Sequence, residues 1–396
     1  MIFCIHKRWH SKGDLYLSIK KWTALSLYLL SLTGSLNAQD KGDSVKKSED
    51  EGIVGAPFID YKPETSIAFG AAALYYFHLS NDSSKGHTDV AIPQANRPSS
   101  ISFGITYTLK HQFSTGMDYT LYFSHDNDYI FGGLDFKRIP FDFYGIGDHT
   151  PKNPIDRYTP LWRGGDILMT RNLIRTPDGE GFNAGIGTEY RYDLILSSNQ
   201  GGILQTGNIP GSKGGLSGGW GVIVDYDTRD NVFSSHQGQY ADIRTMVYSK
   251  YFGGSFNFTR FTLDTRDFIP TYSTHTIALQ GLITFVSGIE PFYTMAGLGG
   301  EVVMRGISEG RYRDKDMAVL QGEYRMPVIW RFGIVGFTGI GEVAGTVNEF
   351  NFSSIKWNAG AGIRFIVSEA EHVVVRLDYG FGNDSSELYL FVNEAF

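Results

Sequence analysis

From about residue 52 onward, apolar and polar positions alternate with a period of two. Ile101, Phe103, Ile105, Tyr107 and Leu109 alternate with Ser102, Gly104, Thr106, Thr108 and Lys110, and Met117, Tyr119, Leu121 and Phe123 with Asp118, Thr120, Tyr122 and Ser124. The rhythm recurs near the other end. There Ile355, Trp357, Ala359, Ala361, Ile363 and Phe365 alternate with Lys356, Asn358, Gly360, Gly362 and Arg364, and Val373, Val375, Leu377 and Tyr379 with Val374, Arg376 and Asp378. Such alternation describes strands with one apolar and one polar face. Segments of this kind predict about sixteen strands, near 52–61, 64–79, 99–110, 113–125, 127–138, 160–174, 181–197, 215–228, 237–251, 254–269, 274–289, 316–329, 331–346, 353–367, 371–381 and 386–396.

Which face points inward separates two architectures. A sandwich buries its apolar faces between sheets, whereas a membrane barrel turns them to lipid and keeps the polar faces in a wet lumen. The segments are long enough to cross a bilayer at a tilt. Their polar faces carry Lys110, Lys356, Arg364 and Arg376 among glycines, and aromatics cluster near strand ends (Tyr75, Tyr76 and Phe77; Phe141, Phe143 and Tyr144), where interfacial girdles belong. Composition agrees. The chain has 48 Gly, 28 Phe, 23 Tyr and 6 Trp in 396 residues with only 19% charged, too glycine-rich for a helical protein and too aromatic for disorder. The expectation is an all-β, transmembrane antiparallel β-barrel of about sixteen strands over 52–396. The connection 80–98 is long for a periplasmic turn, so the count is open to revision by one hairpin. A lumen this wide needs a plug.

Before the barrel, Lys20 and Lys21 precede the apolar stretch 22–32 and a small residue at Ala38, the pattern of a signal peptide over 1–38. A polar, charged stretch at 39–51 reads as a flexible periplasmic lead-in. The leader takes five of the 35 basic residues and one of the 42 acidic ones, moving the formal charge from −7 to about −11. That balance argues against nucleic acid as a partner. The single cysteine, Cys4, leaves with the leader, so neither disulfides nor zinc–thiolate chemistry is expected. Gly215-Leu-Ser217-Gly-Gly219 matches a nucleophile elbow, but the sequence continues as a strand rather than the helix an elbow requires. The histidines are scattered without metal-ligand spacing, and Asp225, Asp227 and Asp230 read as solvated turn acids rather than a calcium site. No enzyme, metal or cofactor is implied.

Two segments are denser in specific chemistry than a passive pore needs. One is Asp227-Thr-Arg229-Asp230-Asn231 with Gly238. The other is Met304-Arg305-Gly306-Ile307, where apolar residues bracket one cation beside a glycine. The latter resembles the (V/I/L)-R-G-(F/Y) signature of the outer-membrane protein assembly factors, the BamA/TamA-like bacterial surface antigen barrels, in which it lies on the sixth extracellular loop between strands eleven and twelve. The former resembles that family's periplasmic turn before strand nine. Gln321-Gly-Glu323-Tyr-Arg325 resembles strand twelve, and Leu388-Tyr-Leu390-Phe-Val392 through Phe396 resembles the family's last strand with its terminal aromatic signal.

The resemblance implies that the loop between strands eleven and twelve folds into the lumen, with Arg305 held by Glu323. It also implies a weak seam between Val54–Tyr61 and Leu388–Phe396, where a client strand is templated by β-augmentation. Three departures stand out. Ile307 replaces an aromatic. Phe337-Thr-Gly339-Ile-Gly341 lacks the aspartate of the family's F-x-D-x-G, leaving Glu342 as candidate second partner for the loop. The POTRA domains that precede the barrel in assembly factors have no counterpart in the few residues before the first strand. The implied location is the outer membrane of a Gram-negative bacterium. The implied partners are outer-membrane lipids including lipopolysaccharide, unfolded outer-membrane clients and other assembly subunits. A gated pore or transporter, or an accessory barrel of another envelope complex, is the alternative.

Overall fold

The computed structural model describes residues 51–62, 66–79, 97–123, 127–175, 181–272, 274–369, 371–383 and 385–396. The expected leader, nearly all of the lead-in and most of the 80–98 connection lie outside them.

Sixteen long strands form the wall: β1 Glu51–Lys62, β2 Ser66–Phe77, β3 Ser99–Thr108, β4 Phe113–Phe123, β5 Asp128–Arg138, β6 Asp156–Arg175, β7 Gly181–Ser198, β8 Gly215–Asp227, β9 Gly238–Tyr248, β10 Phe258–Thr271, β11 His275–Gly288, β12 Asp316–Ile329, β13 Phe332–Ala344, β14 Lys356–Ser368, β15 Val373–Gly382 and β16 Ser385–Val392. Each pairs antiparallel with the next. The sixteen-strand barrel read from the alternation is therefore the observed fold, and the long second connection adds no hairpin among the described residues. Three short strands lie off this wall sequence. Phe141–Phe143 pairs with the start of β6, and Ala296–Leu298 pairs with Tyr312–Asp314 inside the β11–β12 loop.

Five connections on one side (139–155, 199–214, 249–257, 289–315, 345–355) are long, although 109–112 and 383–384 on that side are short, and most on the side of the chain termini are short, such as the two-residue turn 330–331 where Trp330 takes φ 49°. Long loops outside and short turns in the periplasm are the usual asymmetry of such barrels. The packing is inside out. Phe103, Ile167, Ile186, Val222, Leu320 and Ile363 are exposed on the outer face, while Asp193, Asp225, Gln280, Glu323, Arg376 and Asp378 are buried on the inner one. Strand alternation places those two sets on opposite faces, so hydrocarbon outside and a packed polar lumen inside satisfy both.

Two sequence expectations are corrected here. Phe143 and Tyr76 do not belong to a lipid-facing girdle. Phe143 is fully buried against Phe292 and Tyr158 under the outer loops, and Tyr76 points into the periplasmic mouth beside Phe233. Adjacent aromatics in a strand face opposite ways, so a run of them cannot all meet lipid. Strand β6 also starts earlier than the pattern suggests, at Asp156, because its outer end pairs with Phe141–Phe143 above the hydrophobic band.

Candidate functional site

The β11–β12 loop, residues 289–315, turns back into the barrel. Glu290 is held by Arg260 at 2.5 Å and Phe292 packs against Phe143 and Tyr158, which anchors the base of the loop. Burial pushes the Glu290 carboxyl above its ordinary range, with the Arg260 guanidinium opposing. The short hairpin Ala296–Leu298/Tyr312–Asp314 continues inward, and the 139–155 loop covers it through Gly147 N to Arg313 O (2.8 Å) and Thr150 Oγ1 to Arg311 O (2.8 Å).

At the tip, Met304, Arg305, Gly306 and Ile307 are all buried. The backbone is held by side chains of the wall: Met304 N donates to Gln321 (3.0 Å), Gly306 N to the Tyr389 hydroxyl (3.0 Å), and Asn358 Nδ2 to Arg305 O (2.7 Å). Gly306 sits at φ 102°, and a Cβ there would come 2.3 Å from the Phe381 nitrogen, so loop and β15 meet backbone to backbone. Gly380 is the reciprocal gap: a Cβ on it would lie 2.6 Å from Arg305 O.

The Arg305 guanidinium donates to Glu323 on β12 and Asp378 on β15, lying 3.8 Å over the Phe337 ring. Glu323 also accepts from Arg325 (2.8 Å); Asp378 accepts from Arg364 (2.5 Å) and Arg376 (2.8 Å); Arg364 donates to Glu394 (2.7 Å). Four guanidiniums thus share three carboxylates. Arg305 Nε, Arg364 Nη2 and Arg376 Nε are buried without a hydrogen-bond partner among the described residues, as a surplus of donors requires.

Glu342 does not take part. It is adjacent to the lumen-facing Gly341, points the other way near the outer end of β13, and accepts from Asn351 N at 2.7 Å. The second carboxylate is Asp378. Position 339 has no room for the family's aspartate, since a Cβ there already lies 2.8 Å from Asn358 and 3.0 Å from the Met304 sulfur. The Arg376-x-Asp378 alternation was the sequence signal for Asp378; nothing local pointed to Asn358 or Tyr389.

The β8–β9 turn closes the periplasmic mouth. Asp227 pairs with Arg229 (2.8 Å) and Arg97 (2.7 Å), Asp230 accepts from His236 N (2.9 Å), and Gly238 takes φ 105° as the chain enters β9. This rigid turn projects Phe233 across the mouth into an apolar cluster with Val54 of β1, Leu74 and Tyr76 of β2, and Val373 of β15, with Val392 of β16 packed alongside. Asn231 Nδ2 donates across to Glu371 O (3.1 Å).

The last strand ends early. Leu388 and Leu390 face lipid and Val392 the floor, but Asn393 takes φ 69° and directs the following residues into the lumen. Phe396 therefore does not continue the lipid-facing row. It is buried against Phe268 and Ala278, and its main-chain oxygen accepts from Arg325 (2.8 Å). Among the described residues no ladder joins β16 to β1. The two edges are linked at the floor by side chains around Phe233. The Gly215–Gly219 segment is the start of β8, so Ser217 sits in a strand and no elbow forms.

The comparisons agree with this architecture. The Omp85 superfamily domain matches residues 94–387. A comparison with curated proteins finds no match. Among solved structures, the chain is similar to BamA from Haemophilus ducreyi lacking POTRA domains 1–3, with TM-score 0.52, 12% identity, and coverage of 94% of this chain and 77% of that one. It is also similar to CdiB from Acinetobacter baumannii, with TM-score 0.57, 11% identity, and coverage of 87% and 59%. For CdiB from Escherichia coli the TM-score is 0.57, the identity 12%, and the coverage 86% and 62%. The chain thus spans about three-fifths of the CdiB structures. At these identities the likeness is one of fold, while the domain match covers most of the sequence. The chain belongs to the Omp85 superfamily, as a BamA/TamA-like β-barrel of the Gram-negative outer membrane and of the assembly or translocation type.

Proposed function

We propose that this barrel assists insertion or translocation of unfolded outer-membrane polypeptides through the β1–β16 seam, with the 289–315 loop as its plug. The observation that carries the reading is the seam. β16 is only eight residues long, its following residues turn into the lumen, and the edge of β1 has no ladder partner among the described residues. An unpaired edge is a template for an incoming strand, and a short last strand thins the adjacent membrane. Arg305 keeps the lumen closed meanwhile, so the seam opens without leakage. Other assembly-complex subunits are the expected partners at the periplasmic face.

A gated pore is the second reading. It is favoured by the lumen wall on β4 to β6, where Asp118, Asp135 and Asp166 make no hydrogen bond or ion pair with the loop among the described residues. A folding assay separates the two. In liposomes, the protein is expected to accelerate folding of a urea-unfolded barrel client. Arg305→Ala is expected to lose that acceleration, and so is oxidation of a Val54→Cys/Val392→Cys pair across the floor cluster. No acceleration by the wild type refutes the insertase reading. Acceleration that survives the cross-link refutes the seam.

A further inference from the structure

The outer wall carries an arrangement that neither plug nor seam uses. On β5, Arg138 follows Leu134 and Phe136 along the lipid-facing row; on β6, Arg163 precedes Gly165, Ile167 and Met169 along the same face. The register sets Phe136 opposite Arg163, which makes Arg138 and Arg163 diagonal neighbours on adjacent strands. Both are exposed, and among the described residues neither meets a carboxylate; Arg163 lies 5.5 Å over the Tyr192 ring. Arg171, on the same face at the periplasmic end of β6, is instead neutralised by Asp128 at 2.7 Å.

Arg163 and Arg171 are eight positions apart, about 26 Å along the strand and about 20 Å across the membrane once the strand's tilt is included, so the two arginines lie towards opposite edges of the apolar band. Arg163 is at the one below the long loops. Nearby Phe113 and Phe136 pair at 5.9 Å, as residues of an interfacial girdle do.

Beneath the arginine pair the wall is notched. A cavity of about 690 Å³ opens to the hydrocarbon between Met117, Leu134, Ile167 and Tyr190, where Thr115 and Thr188 are small and their neighbours large. That volume is in the range of small-molecule sites, ~300–1,000 Å³. Unpaired arginines facing a membrane need an anion, and a guanidinium fork suits phosphate oxygens.

We propose that this groove is a binding site for a phosphorylated, acylated glycolipid of the outer leaflet, lipopolysaccharide, with an acyl chain in the notch and a phosphate on Arg138 and Arg163. The outer leaflet is the one that faces the long loops, and the site holds whether or not the seam opens. Native mass spectrometry of the detergent-purified protein tests it with lipid A, dephosphorylated lipid A and phosphatidylglycerol as probes, each variant being checked for barrel folding by heat-modifiable gel mobility. The wild type is expected to retain one lipid A. Retention is expected to fall about tenfold or more for dephosphorylated lipid A, for Arg138→Ala/Arg163→Ala, and for the groove-filling Thr188→Trp that keeps both arginines. Arg171→Ala is expected to bind as the wild type does. Equal retention by the double arginine variant, an equal loss in Arg171→Ala, or equal binding of phosphatidylglycerol would each overturn the proposal.

Discussion

The charge count around the plug makes a prediction that intuition reverses. Arg305 is the conspicuous residue, yet the cluster holds four guanidiniums and three carboxylates. Arg305→Ala removes two charge-assisted contacts, gross about 1.5–3 kcal/mol each, and the stacking on Phe337. It also leaves three cations with three anions, since Glu323 keeps Arg325 and Asp378 keeps Arg364 and Arg376. The relief of like-charge repulsion offsets part of the loss, and the net cost to plug docking is about 2–3 kcal/mol. Glu323→Gln keeps the shape but leaves four buried cations with two carboxylates. Breaking a buried network on its minority side costs about 3–5 kcal/mol. The assay is maleimide labelling of Ser308→Cys beside the tip, in a chain whose one native cysteine, Cys4, is replaced by serine. Undocking of the tip is expected to rise on the order of 100-fold in Arg305→Ala and roughly tenfold further in Glu323→Gln. Equal labelling, or faster labelling in Arg305→Ala, would refute the charge-count reasoning.

Other consequences are equally specific. Gly306→Ala should undock the tip by about 2–3 kcal/mol or more, combining a strained φ with a backbone clash on β15; unchanged protease resistance of 300–310 would contradict this. Phe233→Ala empties the centre of the periplasmic floor and should cost about 3 kcal/mol in urea unfolding, together with increased cross-linking across the mouth when probes enter from the periplasmic side. Glu342→Gln should leave tip labelling unchanged, because Glu342 bonds Asn351 and not Arg305; a rise like that of Glu323→Gln would show that the outer loop and the tip are coupled.

The plug and the floor share residues. Arg325 holds both Glu323, beneath the loop tip, and the oxygen of Phe396; Arg364 holds both Asp378 and Glu394. The segment leaving β16 is therefore tied through two guanidiniums to the carboxylates that receive Arg305. The last strand and the loop draw on the same ion pairs, the route by which the proposed seam and plug would be coupled.

Sequence by itself determined the wall. Alternation with period two fixes which residues face lipid, and a run of such segments with long loops on one side admits little besides a membrane barrel. Local chemistry also singled out Met304 to Ile307 and the Asp227–Gly238 turn, whereas Glu323 entered only through the family resemblance. Tertiary structure alone decided the partners across the lumen. Asp378, Asn358 and Tyr389 meet the loop only because β14, β15 and β16 curve to face it. Phe233 reaches the ends of β1 and β16 because the turn between β8 and β9 lies across the barrel from them. Phe396 left its row because Asn393 adopts a left-handed backbone and Arg325 receives the turned chain. Periodicity encodes the face of a residue, not its distance around the barrel; that distance exists only once the sheet has curled.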